Sequence, residues 1–154
     1  MSIWWSLHLR REAASVPLAR RLLLGTMETA GVDPDISYDL SVALSEACAN
    51  AVEHGGDDSA EDYRVTARID GDTCRIEVID SGPGVADKLR ARGRRTSTRP
   101  HQPAPDRAEH GRGLFLIESL TDHVRVRNRS GHPGVVVSFD KILKWREGAL
   151  LRAS

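Results

Sequence analysis

The stretch Ser45-Glu46-Ala47-Cys48-Ala49-Asn50-Ala51-Val52-Glu53-His54-Gly55 decides how the chain is read. It closes a longer apolar stripe of Ile36, Leu40, Ala43, Leu44, Ala47, Ala51 and Val52, which recurs at the helical period. The pattern predicts a helix that begins after Asp33 or Asp35 and runs to His54, where Gly55-Gly56 stops it. Glu46, Asn50 and His54 stand at steps of four, along one side of that helix and beside its apolar stripe. A neutral amide oxygen suits Mg²⁺, which keeps waters and takes its other ligands from phosphates. One turn away, a carboxylate can orient and deprotonate an attacking hydroxyl or water. Taken alone, Glu46 and Asn50 also read as ordinary polar residues at the edge of an amphipathic helix.

Working outward, Ile3 to Arg10 alternates loosely and predicts a first strand. Ser15-Val16-Pro17 predicts a helix start, Leu18, Leu22, Leu23 and Met27 its apolar stripe, and Gly31 its end. Beyond the central helix, Tyr63 to Ile69 and Cys74 to Ile79 predict a hairpin closed by Asp70-Gly71-Asp72. From Ser81 to Glu109 the apolar period disappears into prolines, arginines and small polar residues. So long a loop inside a compact domain is usually functional. Order returns at Gly111, with a short helix through Leu114, Ile117, Glu118 and Leu120. Strands follow at Val124 to Val126 and Val135 to Phe139, then a short helix from Lys141. The order β–α–α–β–β–loop–α–β–β predicts an α+β two-layer sandwich, a mostly antiparallel mixed sheet with helices on one face.

Two further clusters carry chemistry. Asp80-Ser81-Gly82-Pro83-Gly84 follows a buried strand directly and leads into Val85. Its glycines permit close backbone approach. A carboxylate at a strand end can accept from the N6 amino group of adenine; guanine would set acceptor against acceptor. By itself the pentapeptide reads equally as a Gly-rich turn. Gly111-Arg112-Gly113-Leu114 is expected to open the next helix, where unpaired N–H groups can hold an anion. It is not a Rossmann fingerprint, since Leu116 stands where the last glycine would be, and the chain has no Walker-type Gly-Lys-Ser/Thr. Alone, it is also a plain helix start with flexible glycines.

Together and in this order, the three clusters resemble the boxes of the gyrase, chaperone, histidine-kinase and mismatch-repair ATPase superfamily, the Bergerat ATP-binding fold. Within it the compact chain is most similar to the anti-sigma-factor serine kinases of bacteria. The resemblance covers nearly the whole chain as a single domain, residues 1–154, with an ATP lid at about 85–110. It implies Mg²⁺ and ATP as cofactors, with Glu46 as base and Asn50 as metal ligand. His54, Asp80, Gly82, Gly84, Val85, Gly111, Arg112, Gly113 and Leu114 would surround the nucleotide, and Asp80 would read adenine. It also implies a sigma factor held inactive and a serine phosphorylated on an anti-anti-sigma partner of the STAS type. The alternative is an ATP-binding module that sequesters a signalling partner and transfers no phosphate. One departure is plain: many members carry Gly-Thr before the last strand, and here it is Gly134-Val135.

Composition agrees with a soluble globular domain: 154 residues, 40% apolar and 29% charged, with zero formal net charge. The balance argues against direct nucleic-acid binding and opposes a homodimer only weakly. It conceals an asymmetry. No Lys or Arg occurs between Arg21 and Arg64, whereas Val85 to Arg112 carries Lys88 and seven arginines, among them Arg107 and Arg112 beside the expected phosphate site. Cys48 and Cys74 sit within apolar patterns and read as buried thiols of a reducing compartment. With no signal pattern and no stretch of membrane-spanning length, the expected location is the cytoplasm, away from any membrane. The histidines have no zinc-ligand spacing. One of Trp4 and Trp5 is expected on the outer side of the first strand, marking a partner surface.

Overall fold

The computed structural model describes residues 2–54, 62–80, 105–131 and 134–149; for His54 and residues 105–112 it describes the main chain only. Their elements are β1 (Ser2–Arg10), α1 (Ser15–Ala30), α2 (Pro34–His54), β2 (Asp62–Asp70), β3 (Thr73–Asp80), α3 (Pro105–Leu120), β4 (His123–Asn128) and β5 (Val135–Ile142). The five strands lie in the order β1-β2-β3-β5-β4. Every described pair is antiparallel, so the expected α+β two-layer sandwich stands, with no parallel pair among the described strands.

Alternation decides the layering. Leu9, Tyr63, Val65, Ala67, Ile69, Cys74, Ile76, Val78, Val135, Val137 and Phe139 are buried under the helices. Opposite them, the exposed face is charged, with Arg75 and His123 both paired to Asp140 and Arg127 to Glu77. The helical layer supplies Leu23, Met27, Leu40, Leu44 and Ile117 to the same core. Gly71, at φ 60°, opens the two-residue turn between Asp70 and Thr73; glycine at that position suits a type II′ hairpin.

Antiparallel runs give the sandwich two distinct ends. The far end holds the Gly71 turn, the C-terminus of α1 and the start of α2. Gly31, at φ 90°, caps α1. A strap that follows β5 closes this end. Leu143 N–H donates to Asp72 O at 2.6 Å, Asp33 N–H to Lys144 O at 2.7 Å, and Arg146 N–H to Gly31 O at 2.7 Å. The indole of Trp145 donates to Asp72 Oδ1 at 2.9 Å. The short helix expected from Lys141 is therefore absent: β5 runs on to Ile142, and Trp145 makes an isolated bridge with Val32. The near end collects the last residues of β1 and β3, the first of β2 and β5, and the C-terminus of α2.

Two local expectations need correction, the stripe of α1 and the start of α3, whereas one of the two tryptophans does lie on the outer side of β1 as expected. The stripe of α1 runs through Ala19, Leu23, Met27 and Ala30, and Leu18 and Leu22 are exposed. Alanine fits where the helix lies closest to its neighbours, and size alone misdirects the reading. Trp4 is 64% exposed, whereas Trp5 packs on the core and its indole donates to Thr26 Oγ1 at 3.1 Å. Lastly, α3 begins at Pro105, six residues before Gly111. Proline is tolerated in a first helical turn, and the following charged residues support a helix without an apolar period.

Candidate functional site

The near end is where the sequence-derived residues converge, and the direction of each element explains why. On the inner face of β3 the series Cys74, Ile76, Val78 ends in a carboxylate, Asp80. Across the sheet, Asp80 lies in register with Tyr63 on one side and Val135 on the other. Helix α2 runs toward this end, and Cys48 hydrogen-bonds with the Tyr63 hydroxyl. Its segment from Glu46 to Asn50 therefore lies over the same end of the sheet. Helix α3 ends at the far end, where Lys141 Nζ donates to Leu120 O at 2.8 Å, so its earlier turns also lie near Asp80.

Gly113 is where α3 meets α2. A methyl group on it would lie 3.4 Å from Glu46 Oε2, 3.4 Å from Asn50 Nδ2 and 3.6 Å from Asn50 Oδ1. A carboxylate and an amide, one helical turn apart, thus face the bare main chain of Gly113 without an intervening side chain. Gly111, Arg112 and Gly113 do not open a helix, as expected, but lie inside one. Their N–H groups are not those of a free helix start. The role left for Gly113 is close approach.

Asp80 is buried and pairs with Arg11, whose side chain is 8% exposed against 6% for the carboxylate. Burial lowers the Arg11 pKa from its usual value. An isolated buried carboxylate is costly, and the guanidinium offsets much of that cost. The neighbouring polar groups form a chain. Ser15 Oγ donates to Glu12 O at 2.7 Å and so has no proton left for Tyr63; the Tyr63 hydroxyl therefore donates to Ser15 Oγ, at 2.6 Å. Burial raises the Tyr63 pKa, with Cys48 adding to the effect, and the hydroxyl stays protonated. Burial likewise pushes the Cys48 thiol up to about 12, opposed by its bond to Tyr63.

Gly134 seals the row. Its φ is 132°, and a side chain on it would overlap the main-chain oxygen of Asp80. Only glycine lets β5 enter beside the carboxylate. The next residue, Val135, is buried and brings no hydroxyl to Asp80, as its sequence implies.

A family model described as the histidine kinase-like ATPase domain matches residues 9–141. The chain belongs to that family. Among curated relatives, the serine-protein kinase RsbW of Bacillus subtilis is 34% identical over 131 residues, covering 83% of this chain and 78% of that one. The serine-protein kinase RsbW of Staphylococcus epidermidis is 33% identical over 145 residues, covering 90% and 86%. A crystal structure of RsbU and RsbW domains from a Mycobacterium tuberculosis protein superposes with a TM-score of 0.66 at 22% identity, which speaks for the fold. The alignment covers 93% of this chain and 32% of that one, so this chain spans about a third of its length.

In this histidine kinase-like ATPase domain, Glu46, Asn50, Asp80, Gly113 and the half-buried Leu114 are described with their surroundings. The side chains of His54, Arg107 and Arg112 are not, and Gly82, Gly84, Val85 and most of the expected lid lie outside the described residues. Positions 105–110 of that lid belong to α3. Arg11, Ser15 and Tyr63 were not named as site residues from the sequence, where Ser15 reads as a helix start and Tyr63 as the first residue of a strand; Gly134 was noted only for the Val135 that follows it. No helix among the described residues is long and apolar enough to cross a membrane.

Proposed function

We propose that the chain is a cytoplasmic Mg·ATP-dependent protein serine/threonine kinase that also acts as an anti-sigma factor. Its substrate would be a serine on an anti-anti-sigma partner of the STAS type. The observation that carries this reading is the pair Glu46 and Asn50 against the bare main chain of Gly113, at the same end of the sheet as the buried Asp80.

The residue types fit the nucleotide. Asp80, beside Arg11, offers an acceptor to the adenine amino group and disfavours the carbonyl of guanine. Asn50 offers an amide oxygen to Mg²⁺, and the bare Gly113 lets α3 come close to Asn50 and Glu46. Bound Mg·ATP would supply the phosphoryl group, and its Mg²⁺, held by Asn50, would offset the phosphate charge. Glu46 then accepts the proton of the partner serine as its oxygen bonds to the γ-phosphorus and the bond to the β–γ bridging oxygen breaks, leaving ADP. An arginine from the segment between Val85 and Arg112 would face the phosphates, with Arg112 preferred over Arg107. The exposed Trp4 and the open apolar groove of Ile3, Leu18 and Leu22 offer β1 and α1 as a contact for a partner or a second copy.

The test is transfer of labelled phosphate from ATP to a candidate anti-anti-sigma protein. Glu46→Gln should keep ATP affinity while the transfer rate falls by about 10²–10⁴-fold, the usual general-base contribution. Transfer at the wild-type rate would remove Glu46 as base. ATP binding with no transfer by the wild type would leave the sequestering module as the function.

A further inference from the structure

Arg11 is the first residue past β1, in the short connection to α1. Main-chain bonds from Glu12 N–H to Arg10 O and from Ser15 N–H to Glu12 O shape that connection. The side chain crosses the Tyr63 position and sets Nη2 against Asp80 Oδ1. What surrounds the rest of the guanidinium is unusual. Nε and Nη1 are buried and have no hydrogen-bond partner among the described residues. Guanidinium offers five N–H donors, and burying them unused forfeits hydration worth more than most neutral hydrogen bonds. Among the described residues the contact with Asp80 is what holds the Arg11 guanidinium inside, and outside it would recover full hydration. Asp80 cannot leave, because its strand pairs with neighbours on both sides.

We propose that Arg11 is an internal stand-in for the nucleotide base: its N–H occupies the acceptor that the adenine amino group reads, and nucleotide must expel it to bind. This rests on Asp80 being the adenine reader. Both groups present an N–H to one carboxylate, which is buried in the row that runs from Leu9 through Tyr63 to Val135. Arg11 thus sets nucleotide affinity by lowering the fraction of molecules ready to bind, and apparent affinity scales with that fraction.

Arg11→Ala should bind adenosine, ADP and ATP more tightly than the wild type, each by the same factor of about threefold to thirtyfold. The factor is shared because the competition is at the base. Arg10→Ala, which removes an equal charge from the exposed neighbour, should leave affinity unchanged and separates this effect from general electrostatics. A second measurement needs no variant. The Arg11 Nε–H proton of the wild type should exchange slowly in the free protein and lose that protection when adenosine is added. Unchanged or weaker binding by Arg11→Ala, or an Nε–H that stays protected with adenosine bound, overturns the proposal while ATP binding by the wild type keeps the adenine reading intact. If neither wild type nor Arg11→Ala binds any adenine compound, the reading of Asp80 falls and takes the proposal with it.

Discussion

The two ends of the sandwich are closed by different means, although the same strands run through both. At the far end, apolar Ile69 and Cys74 lie under a strap of main-chain hydrogen bonds and the Trp145 indole. At the near end the same face of the sheet turns polar, with Asp80, Arg11, Tyr63 and Ser15 buried or nearly so. Along β3 the change comes in a single step, from Val78 to Asp80. One end is built for stability. The other carries a buried charge that is unfavourable to keep, the kind of local conflict that marks functional sites.

Substitutions along β3 and β5 should separate the two ends. Ile76→Ala, in the apolar stretch, should cost about 2–5 kcal/mol of stability by denaturant unfolding and leave the ATP affinity of the folded fraction unchanged. Loss of affinity in the still-folded variant would mean that the ends are not independent. Gly134→Ala should cost about 1–3 kcal/mol through its positive φ, and the overlap with the Asp80 main chain should weaken nucleotide binding as well. A stable variant with normal binding would show that β5 does not fix the position of Asp80.

The thiols make the smallest difference, and only in alkali. Cys48 near one end and Cys74 at the other both have pKa values raised from 9.0 to about 12, chiefly by burial, with the Asp140 charge adding at Cys74. A raised acid pKa favours the protonated form in the folded state. Their contribution is therefore complete below about pH 9 and is lost as pH rises toward about 12. Unfolding followed across that window should show stability declining, and both thiols should resist alkylation at pH 8 until the protein unfolds. Rapid labelling of either one at pH 8 would contradict its burial.

Much of this was legible because local pattern and tertiary role agree. The stripe from Ile36 to Ala51, the strand ending in Asp80 and the Gly71 hairpin each need only their own residues to be read. Expectation failed where neighbours decide. Ala19 is buried and Leu18 exposed because of where α1 meets the layer beneath it, which helical spacing alone does not settle. The start of α3 was misplaced because glycine looks like a boundary, whereas Gly113 is needed for approach to Glu46 and Asn50. Arg11 was missed for a similar reason. Its partner lies two strands away, and only the register through Tyr63 brings the two together.

The central claim is that the polar end reads adenine through Asp80, and calorimetric titration with ATP and GTP in the presence of Mg²⁺ tests it most directly. The wild type should bind ATP and disfavour GTP, and Asp80→Asn should weaken ATP binding by about 1–3 kcal/mol, the scale of a lost charged hydrogen bond. Equal affinity for the two nucleotides, or an Asp80→Asn variant that binds ATP as the wild type does, would contradict it.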